Sequence, residues 1–319
     1  METDRFRAMN TEIVLAAEGD SRRISQGFGR VREFIAEEEA RFTRFSDASE
    51  LSALNRAAGS WFQASSELFE VIRIARDLHE QTGGLFDPAL LDALRSIGYD
   101  RSMDEIRKFG NVPPSAGFFP RPGAGLRGML LDDRTCRVWL PESVRLDLGG
   151  VAKGWIAQKA AENLAGFSQA CTVNAGGDLF LIGSPRGDGT WRIGLENPLE
   201  PGQDLAVLRV PDGAVATSSI TRRRWMQGDQ ARHHILDPRT GLPARTDWLS
   251  VTVLAPQAAT AEAFAKACLI AGTQSATLLL SRLPGITLIG VRNDGTLWGS
   301  DQSGDFIEHA NANAQPVAL

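Results

Sequence analysis

The sequence predicts a mixed fold of helices and strands, because two kinds of apolar pattern recur along the chain. Helical spacing of apolar side chains marks residues 21–40 and 65–81, whereas short apolar runs near glycine, such as 179–182, are typical of strands. Of the 319 residues, 43% are hydrophobic and 23% are charged, which is an ordinary globular composition. This length favours one large domain or two smaller ones.

Caps and glycines set the boundaries of the predicted elements. Ser49 is a typical helix N-cap, and the helix at 65–81 ends before Gly83 and Gly84. Residues 110–128 are rich in glycine, proline and serine and predict a surface loop or linker. The predicted elements, in chain order, are a strand at 9–17, helices at 21–40, from Ser49, and at 65–81, a hairpin of 128–131 with 137–140, a helix at 151–165, strands at 170–175, 179–182, 191–195, 206–210 and 250–254, a helix at 260–271, and strands at 286–291 and 296–299.

Charge, cysteine usage and hydropathy exclude several classes of protein. The formal net charge is -5, so the basic footprint of a nucleic-acid-binding protein is absent. Cys136, Cys171 and Cys268 are scattered without metal-site spacing and are typical of reduced thiols. The first residues are polar, and no run of about 18 apolar residues occurs. We therefore expect a cytoplasmic protein without a signal peptide, a lipid-attachment cysteine or membrane insertion.

One stretch, Arg145–Trp155, combines a short strand, a two-glycine turn at Gly149 and Gly150, and the start of a helix. Backbone N–H groups at such a turn and the positive end of the helix dipole attract anions. Lys153 falls in the first helical turn, where a cation is disfavoured by roughly 0.3–1 kcal/mol unless an anion offsets it. The stretch therefore indicates either a phosphate site or a plain strand-to-helix turn with a solvated lysine.

Two further stretches allow a structural and a functional interpretation. The loop Thr82–Pro88 is either a helix end with a turn or a loop that lies against a flat heterocycle. In the helix at 260–271, Glu262 and Lys266 are spaced as an exposed ion pair worth about 0.2–0.5 kcal/mol. That helix is apolar almost all round, so burial is the alternative, and buried charges need a specific partner or a site.

Six short motifs, in this order, resemble those of the FAD:protein FMN transferases, the ApbE family. The resemblance covers the chain from about Met9 to Trp298. Each motif alone is weakly specific, but the six together are strongly specific. They are residues 44–55 (RFSDASELSALN), 82–88 (TGGLFDP), 147–154 (DLGGVAKG), 173–178 (VNAGGD), 216–219 (ATSS) and 234–241 (HILDPRTG).

The resemblance implies a fold and a reaction. The fold would be α+β, with antiparallel sheets and covering helices in a T-fold-related, flavin-binding architecture. Residues 1–319 would form a single flavin transferase domain, with 110–128 as the junction if it has two lobes. A threonine hydroxyl of an acceptor flavoprotein would attack the FMN phosphate of FAD, and AMP would leave.

The resemblance also implies roles for single residues. His234 would be the base for the acceptor hydroxyl, since an unperturbed imidazole pKa of about 6.5 suits that task. His233 would point to the opposite face of a strand. The Gly150 carbonyl and Glu262 would bind Mg²⁺. The cofactor FAD would be contacted by Phe86, Asp87, Asp147, Lys153 and Leu236.

Two stretches of the chain depart from the family pattern. Thr217-Ser218-Ser219 stands where the family has Thr-Ser-Gly, and Glu262 and Lys266 stand where it has Asp and Thr as metal ligands. An ammonium cannot ligate Mg²⁺ and repels it. Either Lys266 takes the place of the metal, paired with Glu262 and directed at the FAD diphosphate, or it reaches solvent and Mg²⁺ binds through Glu262 and the Gly150 carbonyl.

These departures leave three functions open. The first is FMN transfer from FAD to a protein threonine. The second is hydrolysis of FAD to FMN and AMP by a pyrophosphatase reaction, with water in place of the threonine. The third is non-catalytic FAD binding. Release of AMP with and without an acceptor protein separates the three.

Overall fold

The computed structural model describes residues 1–113, 122–123, 125–185, 187–280, 283–310 and 317–318. Its helices are α1 (Ser21–Phe42), α2 (Glu50–Arg56), α3 (Ser66–Gln81), α4 (Leu91–Ser96), α5 (Met103–Phe109), α6 (Ala152–Ala165) and α7 (Ala258–Leu280). Its strands are β1 (Glu2–Ala8), β2 (Thr11–Glu18), β3 (Trp61–Gln63), β4 (Asn111–Val112), β5 (Leu130–Asp132), β6 (Arg137–Trp139), β7 (Ala170–Ala175), β8 (Asp178–Ile182), β9 (Trp191–Glu196), β10 (Asp204–Val210), β11 (Gly213–Ser219), β12 (Arg224–Gln227), β13 (Gln230–His233), β14 (Leu236–Asp237), β15 (Leu242–Pro243), β16 (Trp248–Ala255), β17 (Thr287–Arg292), β18 (Leu297–Gly299), β19 (Ile307–Ala310) and β20 (Val317–Ala318).

The chain forms two compact units, and the first is built on a large sheet. This large-sheet unit comprises Met1–Ala36, Lys153–Thr221 and Thr246–Leu319. Within the described residues its main sheet has nine strands in the order β1-β2-β7-β8-β11-β16-β17-β18-β20, all antiparallel to their neighbours except β18 and β20. A smaller sheet, β19-β10-β9, shares an apolar cluster with it. The expected α+β class with antiparallel sheets is confirmed.

Two helices of this unit bear on the candidate site. α7 packs on β8, β11 and β16. α6 comes so close to the start of α7 that a Cβ on Gly154 would lie 2.6 Å from the carbonyl oxygen of Ala258, so this position requires glycine. By length and composition alone α7 could cross a membrane, although 50% of its most apolar window is buried within the protein. Packing on the sheet accounts for that apolar composition.

The second unit is built on small sheets. This small-sheet unit comprises Glu37–Ala152 and Arg222–Arg245. It contains the sheets β13-β12-β4 and β3-β6-β5, the pair β14-β15 and the helices α2 to α5. Trp225 joins its two chain segments, because its indole N–H donates to the Ile97 carbonyl at 2.9 Å. Its apolar cluster contains Leu90, Leu94, Ile97, Tyr99, Met103, Ile106, Trp225 and Leu236.

The predicted first strand is wrong at its start. Met9 and Asn10, with φ of 53° and 55°, form the two-residue turn between β1 and β2. Positive φ at both positions is typical of a type I′ hairpin turn. β1 lies at the edge of the sheet and is rich in charged side chains, such as Glu2 and Asp4. It therefore lacks the apolar run that predicts a strand.

The last predicted helix is longer than its sequence signals indicate. α7 begins at Ala258 rather than Thr260, because the Gln158 side chain accepts a hydrogen bond from the Ala258 N–H at 3.0 Å. Gly272 interrupts the helix with φ 76° and ψ 168°, as expected. Helical residues then resume to Leu280, since the Asp247 carboxylate caps the N–H of Thr273 at 3.0 Å.

Of the segment 110–128, expected as the junction if the domain had two lobes, the described residues 110–113, 122–123 and 125–128 lie inside the small-sheet unit. Residues 114–121 and 124 of that segment lie outside the described residues. The chain passes between the two units instead at 36–37, 152–153, 221–222 and 245–246. Whether the units act as one functional domain stays a prediction.

Candidate functional site

Two buried carboxylates and one partly buried lysine of the large-sheet unit form an ion cluster. The Lys153 ammonium contacts Asp178 Oδ2 and lies 2.5 Å from Glu262 Oε1. Glu262 Oε2 accepts a hydrogen bond from the Gly154 N–H at 2.9 Å. The exposed fractions of the side chains are 14% for Lys153, 6% for Asp178 and 5% for Glu262. Burial strengthens the attraction between these charges, because little water screens them.

Three separate elements supply the ion cluster. Lys153 lies in the first turn of α6, and Glu262 lies near the start of α7. Asp178 opens β8 directly after Gly176 and Gly177, whose φ values of 67° and 101° favour glycine. We expected an anion to offset the lysine at the helix start, and in this structure two carboxylates of the chain itself do so.

The Mg²⁺ site implied by the resemblance does not fit these residues. Mg²⁺ requires oxygen ligands in near-octahedral geometry. Both Glu262 carboxylate oxygens already accept hydrogen bonds, and the Lys153 ammonium beside Oε1 would repel a divalent cation. In the part of the chain that the structure describes, no group of three or more His, Cys, Asp or Glu side chains could hold a metal ion.

The other residues implicated in that site are placed as follows. Gly150 is buried in the turn before α6, and its role as a carbonyl ligand stays a prediction. Lys266 is half-buried on α7, one turn beyond Glu262. The ammonium found on Glu262 Oε1 is that of Lys153, so the expected pairing of Glu262 with Lys266 also stays a prediction.

Asp147 lies in a second cluster, within the small-sheet unit. Arg44 Nε is 3.2 Å from Asp147 Oδ2, and Arg44 Nη1 donates to the Tyr99 carbonyl oxygen at 2.8 Å. The guanidinium carbon lies 4.2 Å from the ring centroid of Phe45 and 4.5 Å from that of Tyr99. The Arg44 side chain is only 5% exposed. We call Arg44, Phe45, Tyr99 and Asp147 the arginine cluster.

His234 lies at the edge of the arginine cluster. Its ring centroid is 6.4 Å from that of Tyr99, with an interplanar angle of 78°. His233 is turned to the backbone, since its Nε2 is 3.2 Å from the Ala244 carbonyl oxygen, and burial lowers the pKa of its imidazole. The expected strand through both histidines is wrong, because β13 ends at His233 and the chain bends at His234. His233 and His234 differ because His233 lies against the Ala244 carbonyl and His234 against the Tyr99 ring, rather than because they point to opposite faces of a strand.

The glycine-rich loop Thr82–Pro88 contains two of the residues expected to contact FAD, Phe86 and Asp87, and both are buried. The Phe86 side chain is 2% exposed, and His79 Nδ1 lies 2.8 Å from the Phe86 carbonyl oxygen. Asp87 Oδ1 accepts a hydrogen bond from the Ala89 N–H at 2.8 Å and lies 3.8 Å from His79 Nδ1. Burial raises the pKa of the Asp87 carboxyl. Contacts of Phe86 and Asp87 with a flavin or adenine ring stay predictions.

The structure thus brings several predicted residues of the small-sheet unit together. Asp147 reaches the glycine-rich loop, because its N–H donates to the Pro88 carbonyl at 2.8 Å. Through Arg44 and Tyr99, Asp147 is connected with His234. Leu236, by contrast, is 3% exposed in the apolar cluster, and its contact with a cofactor stays a prediction.

Sequence reasoning assigned no role to four residues that the structure places in these groups. Three of them carried a signal in the sequence: Arg44 opens the first of the six motifs, Tyr99 is the one tyrosine of the chain, and Asp178 follows a glycine pair. The fourth, His79, lies in an ordinary helical segment. The four residues are Arg44, His79, Tyr99 and Asp178.

The antiparallel α+β fold places the protein in the structural class of the solved ApbE proteins. The solved ApbE protein of Thermotoga maritima superposes with a TM-score of 0.81 at 28% identity, over 97% of this chain and 99% of that one. The flavin transferase ApbE of Vibrio cholerae shares the fold, with a TM-score of 0.76 at 21% identity, over 96% of this chain and 98% of that one.

The chain belongs to the ApbE family, whose profile it matches over residues 9–289. The FAD:protein FMN transferase of Treponema pallidum is 32% identical over 271 residues, which are 78% of this chain and 72% of that protein. The FAD:protein FMN transferase of Rhodobacter capsulatus is 30% identical over 79% of this chain and 48% of that protein. The family resemblance of the six motifs is therefore confirmed.

Proposed function

We propose that this protein transfers FMN from FAD to a threonine hydroxyl of an acceptor flavoprotein and releases AMP. The observation that carries the proposal is its membership of the ApbE family with Asp147, Lys153 and His234 present in the family's motifs. Relatives from Treponema pallidum and Rhodobacter capsulatus are named FAD:protein FMN transferases, which supports the same reaction here.

The proposed step forms one phosphorus–oxygen bond and breaks another. The threonine Oγ bonds to the phosphorus of the FMN half of FAD, and the bond from that phosphorus to the bridging oxygen of the diphosphate breaks. The bridging oxygen leaves as part of AMP, and the hydroxyl proton passes to His234. Such transfers depend mainly on alignment and on neutralisation of the phosphate charge.

The residues present supply that neutralisation through ammonium groups. Lys153 lies at the start of α6, where the helix dipole also favours an anion, and in this proposal the FAD diphosphate competes with the Asp178 and Glu262 carboxylates for its ammonium. In this proposal Lys266 adds a second positive charge on α7 in the place where relatives have a metal ligand. A single charge in place of a divalent cation neutralises the diphosphate less, so we expect slow turnover.

A second candidate function is FAD binding without transfer. It is favoured by the poor fit of Glu262 to Mg²⁺, because both of its oxygens are occupied by donors. Hydrolysis of FAD to FMN and AMP is the third candidate, with water in place of the threonine. Nothing in either cluster distinguishes water from a threonine as the attacking group.

One incubation separates these functions. The protein is mixed with FAD and an acceptor that the Treponema pallidum relative modifies, and the products are read by mass spectrometry. Transfer gives flavinylated acceptor and an equal amount of AMP, and an acceptor with valine for the target threonine gives neither. AMP without acceptor would favour hydrolysis, and bound FAD without AMP would favour a binding protein. Either result would overturn the transferase proposal.

The diphosphate contact has its own test. Because the proposal directs Lys153 at a phosphate-bearing ligand, the protein should bind FAD more tightly than riboflavin, which has the same ring system without phosphate. Titration of tryptophan or flavin fluorescence measures both affinities. Equal affinity for the two flavins would contradict the assignment of Lys153.

A further inference from the structure

We propose, on the basis of the function proposed above, that Arg44 is a positioning residue that holds the Asp147 carboxylate in its FAD-binding orientation. Asp147 carries a role by family resemblance, whereas Arg44 carries none. Both residues belong to the small-sheet unit. The juxtaposition that supports the proposal is the contact of 3.2 Å between Arg44 Nε and Asp147 Oδ2.

The Asp147 carboxylate is anchored at both oxygens. Oδ1 accepts a hydrogen bond from the Gly149 N–H at 2.8 Å, and Oδ2 faces the Arg44 guanidinium. The side chain is still 17% exposed, so a ligand can reach it. A carboxylate accepts hydrogen bonds, and it therefore suits a hydroxyl or N–H group of FAD rather than its phosphates. The orientation of its remaining lone pairs decides which group it binds.

The guanidinium is itself held in one orientation. It lies against the rings of Phe45 and Tyr99, and Nη1 donates to the Tyr99 carbonyl oxygen at 2.8 Å. A planar, delocalised cation stacks on aromatic rings and presents its donors in a fixed fork, which a lysine does not. Tyr99 belongs to a packed apolar cluster, so Arg44 is fixed relative to that cluster and in turn fixes the position of the Asp147 carboxylate.

The unsatisfied hydrogen-bonding capacity of one Arg44 nitrogen is evidence against a purely structural role. Nη2 is buried and has no hydrogen-bond partner among the residues that the structure describes. An unsatisfied buried donor is unfavourable, and a methionine would fill the space between two rings without it. Arginine at this position is explained by what its other nitrogens hold, namely the Asp147 carboxylate and the Tyr99 carbonyl.

The test is a double-mutant cycle on FAD affinity, with Arg44→Gln, Asp147→Asn and the double variant. Arg44→Gln should weaken FAD binding by about 10-fold or more, because the carboxylate loses its partner at Oδ2. If Arg44 acts through Asp147, the double variant should bind FAD within about twofold of Asp147→Asn alone. A merely structural arginine would weaken binding by the same factor in both backgrounds.

A matched control lies in the same unit. Arg101 also pairs with a carboxylate, that of Asp100 at 2.9 Å, and lies 5.1 Å from the ring centroid of Phe109. Unlike Arg44, it is 41% exposed and belongs to neither cluster. Arg101→Gln should leave FAD affinity within about twofold of the unmodified protein. Circular dichroism and thermal unfolding of each variant report folding, and Arg44→Lys enters the same cycle if Arg44→Gln does not fold.

The outcomes separate this inference from the proposed function. Loss of FAD affinity that disappears in the Asp147→Asn background supports the inference. Unchanged affinity, or an equal loss in both backgrounds, overturns it. If the unmodified protein binds FAD and releases AMP while the coupling is absent, only this inference fails. If the unmodified protein binds no FAD, the proposed function and this inference fail together.

Discussion

The ion cluster and the arginine cluster place a cation beside carboxylates in two different ways. In the ion cluster, the compact ammonium of Lys153 faces the two carboxylates of Asp178 and Glu262. In the arginine cluster, the planar guanidinium of Arg44 faces one carboxylate and lies against two aromatic rings. The ion cluster is held together mainly by attraction between opposite charges. In the arginine cluster, stacking of the planar guanidinium on the rings also fixes its orientation.

This difference predicts different consequences of substitution. Removing the shared ammonium leaves two buried negative charges close together, so stability should suffer. Removing the guanidinium leaves one partly exposed carboxylate whose orientation is less restricted, so ligand binding should suffer more than stability. The comparison therefore predicts that the ion cluster contributes more to stability than the arginine cluster does.

Lys153→Met is expected to have the largest effect. It removes the ammonium that Asp178 and Glu262 share, and breaking a buried ion pair in this way costs about 3–5 kcal/mol of unfolding free energy. Urea unfolding at neutral pH measures the loss, and FAD titration should show loss of binding. Lys159→Met, on the exposed part of the same helix, is the control and should change stability by less than about 0.5 kcal/mol. A loss of under about 1 kcal/mol in Lys153→Met would show that charge does not organise the ion cluster.

His234→Ala tests the proposed role of His234, at the edge of the arginine cluster, as the base. Loss of a general base lowers a rate by about 10²–10⁴-fold, and we expect a decrease of this size in AMP release with the acceptor present. His233→Ala should keep nearly full activity, because its imidazole bonds a backbone carbonyl. Full activity in His234→Ala with none in His233→Ala would reverse the assignment.

Metal removal tests whether the ion cluster stands in place of a metal. Since Glu262 is occupied by Lys153 and Gly154, excess EDTA should change the Kd for FAD by no more than about twofold. The double change of Glu262→Asp with Lys266→Thr should make FAD binding or turnover dependent on added Mg²⁺. Lys159→Thr is the matched control and should create no such dependence. Release of FAD from the unmodified protein by EDTA, with recovery on addition of Mg²⁺, would disprove the metal-free interpretation.

Glu38→Gln should have the smallest effect and concerns a third charged group, in the small-sheet unit. Glu38 is 4% exposed beside Arg41, and its burial raises the carboxyl pKa to about 7. The folded state therefore binds this proton more tightly than the unfolded state, so stability falls as pH rises from 4.5 through 7. Glu38→Gln removes that dependence while keeping an acceptor for Arg41.

Unfolding by urea at two pH values measures this effect. At pH ~8, Glu38→Gln should be more stable than the unmodified protein by about 1 kcal/mol, a value reduced for solvent screening, and near pH ~4.5 the difference should be small. Glu37→Gln, which lies on the exposed face of the same helix, should stay within about 0.5 kcal/mol at both pH values. A gain in stability that is larger at the lower pH would contradict the sign of the Glu38 shift.

Local signals in the sequence predicted most helices correctly. The Ser49 and Ser65 side chains accept hydrogen bonds from the N–H groups of Ser52 and Leu68, as expected at helix starts. The hairpin of β5 and β6 was likewise predicted, because its apolar and turn residues are adjacent in the chain. Caps and short hairpins depend on residues a few positions apart, and such spacing is visible in a sequence.

Elements without an apolar run were missed. β12, which begins at Arg224, has no predicted counterpart, although it pairs with β13 and with β4. α5 was missed even though Ser102 and Glu105 form a full capping box at its start. β12 depends on a partner far along the chain, whereas α5 is only 7 residues long and buries only Met103 and Ile106, so the apolar pattern of each element is weak.

By itself the sequence determined the family, the order of the motifs and the positions of Lys153, Asp147 and His234 within them. Only the tertiary structure decided which charges meet. Spacing within α7 predicts a pair of Glu262 with Lys266, which stays a prediction, whereas the structure shows on Glu262 the ammonium of Lys153, 109 residues away. The physical reason is that sheet topology and burial, rather than distance along the chain, set the separation and the strength of interaction between charges.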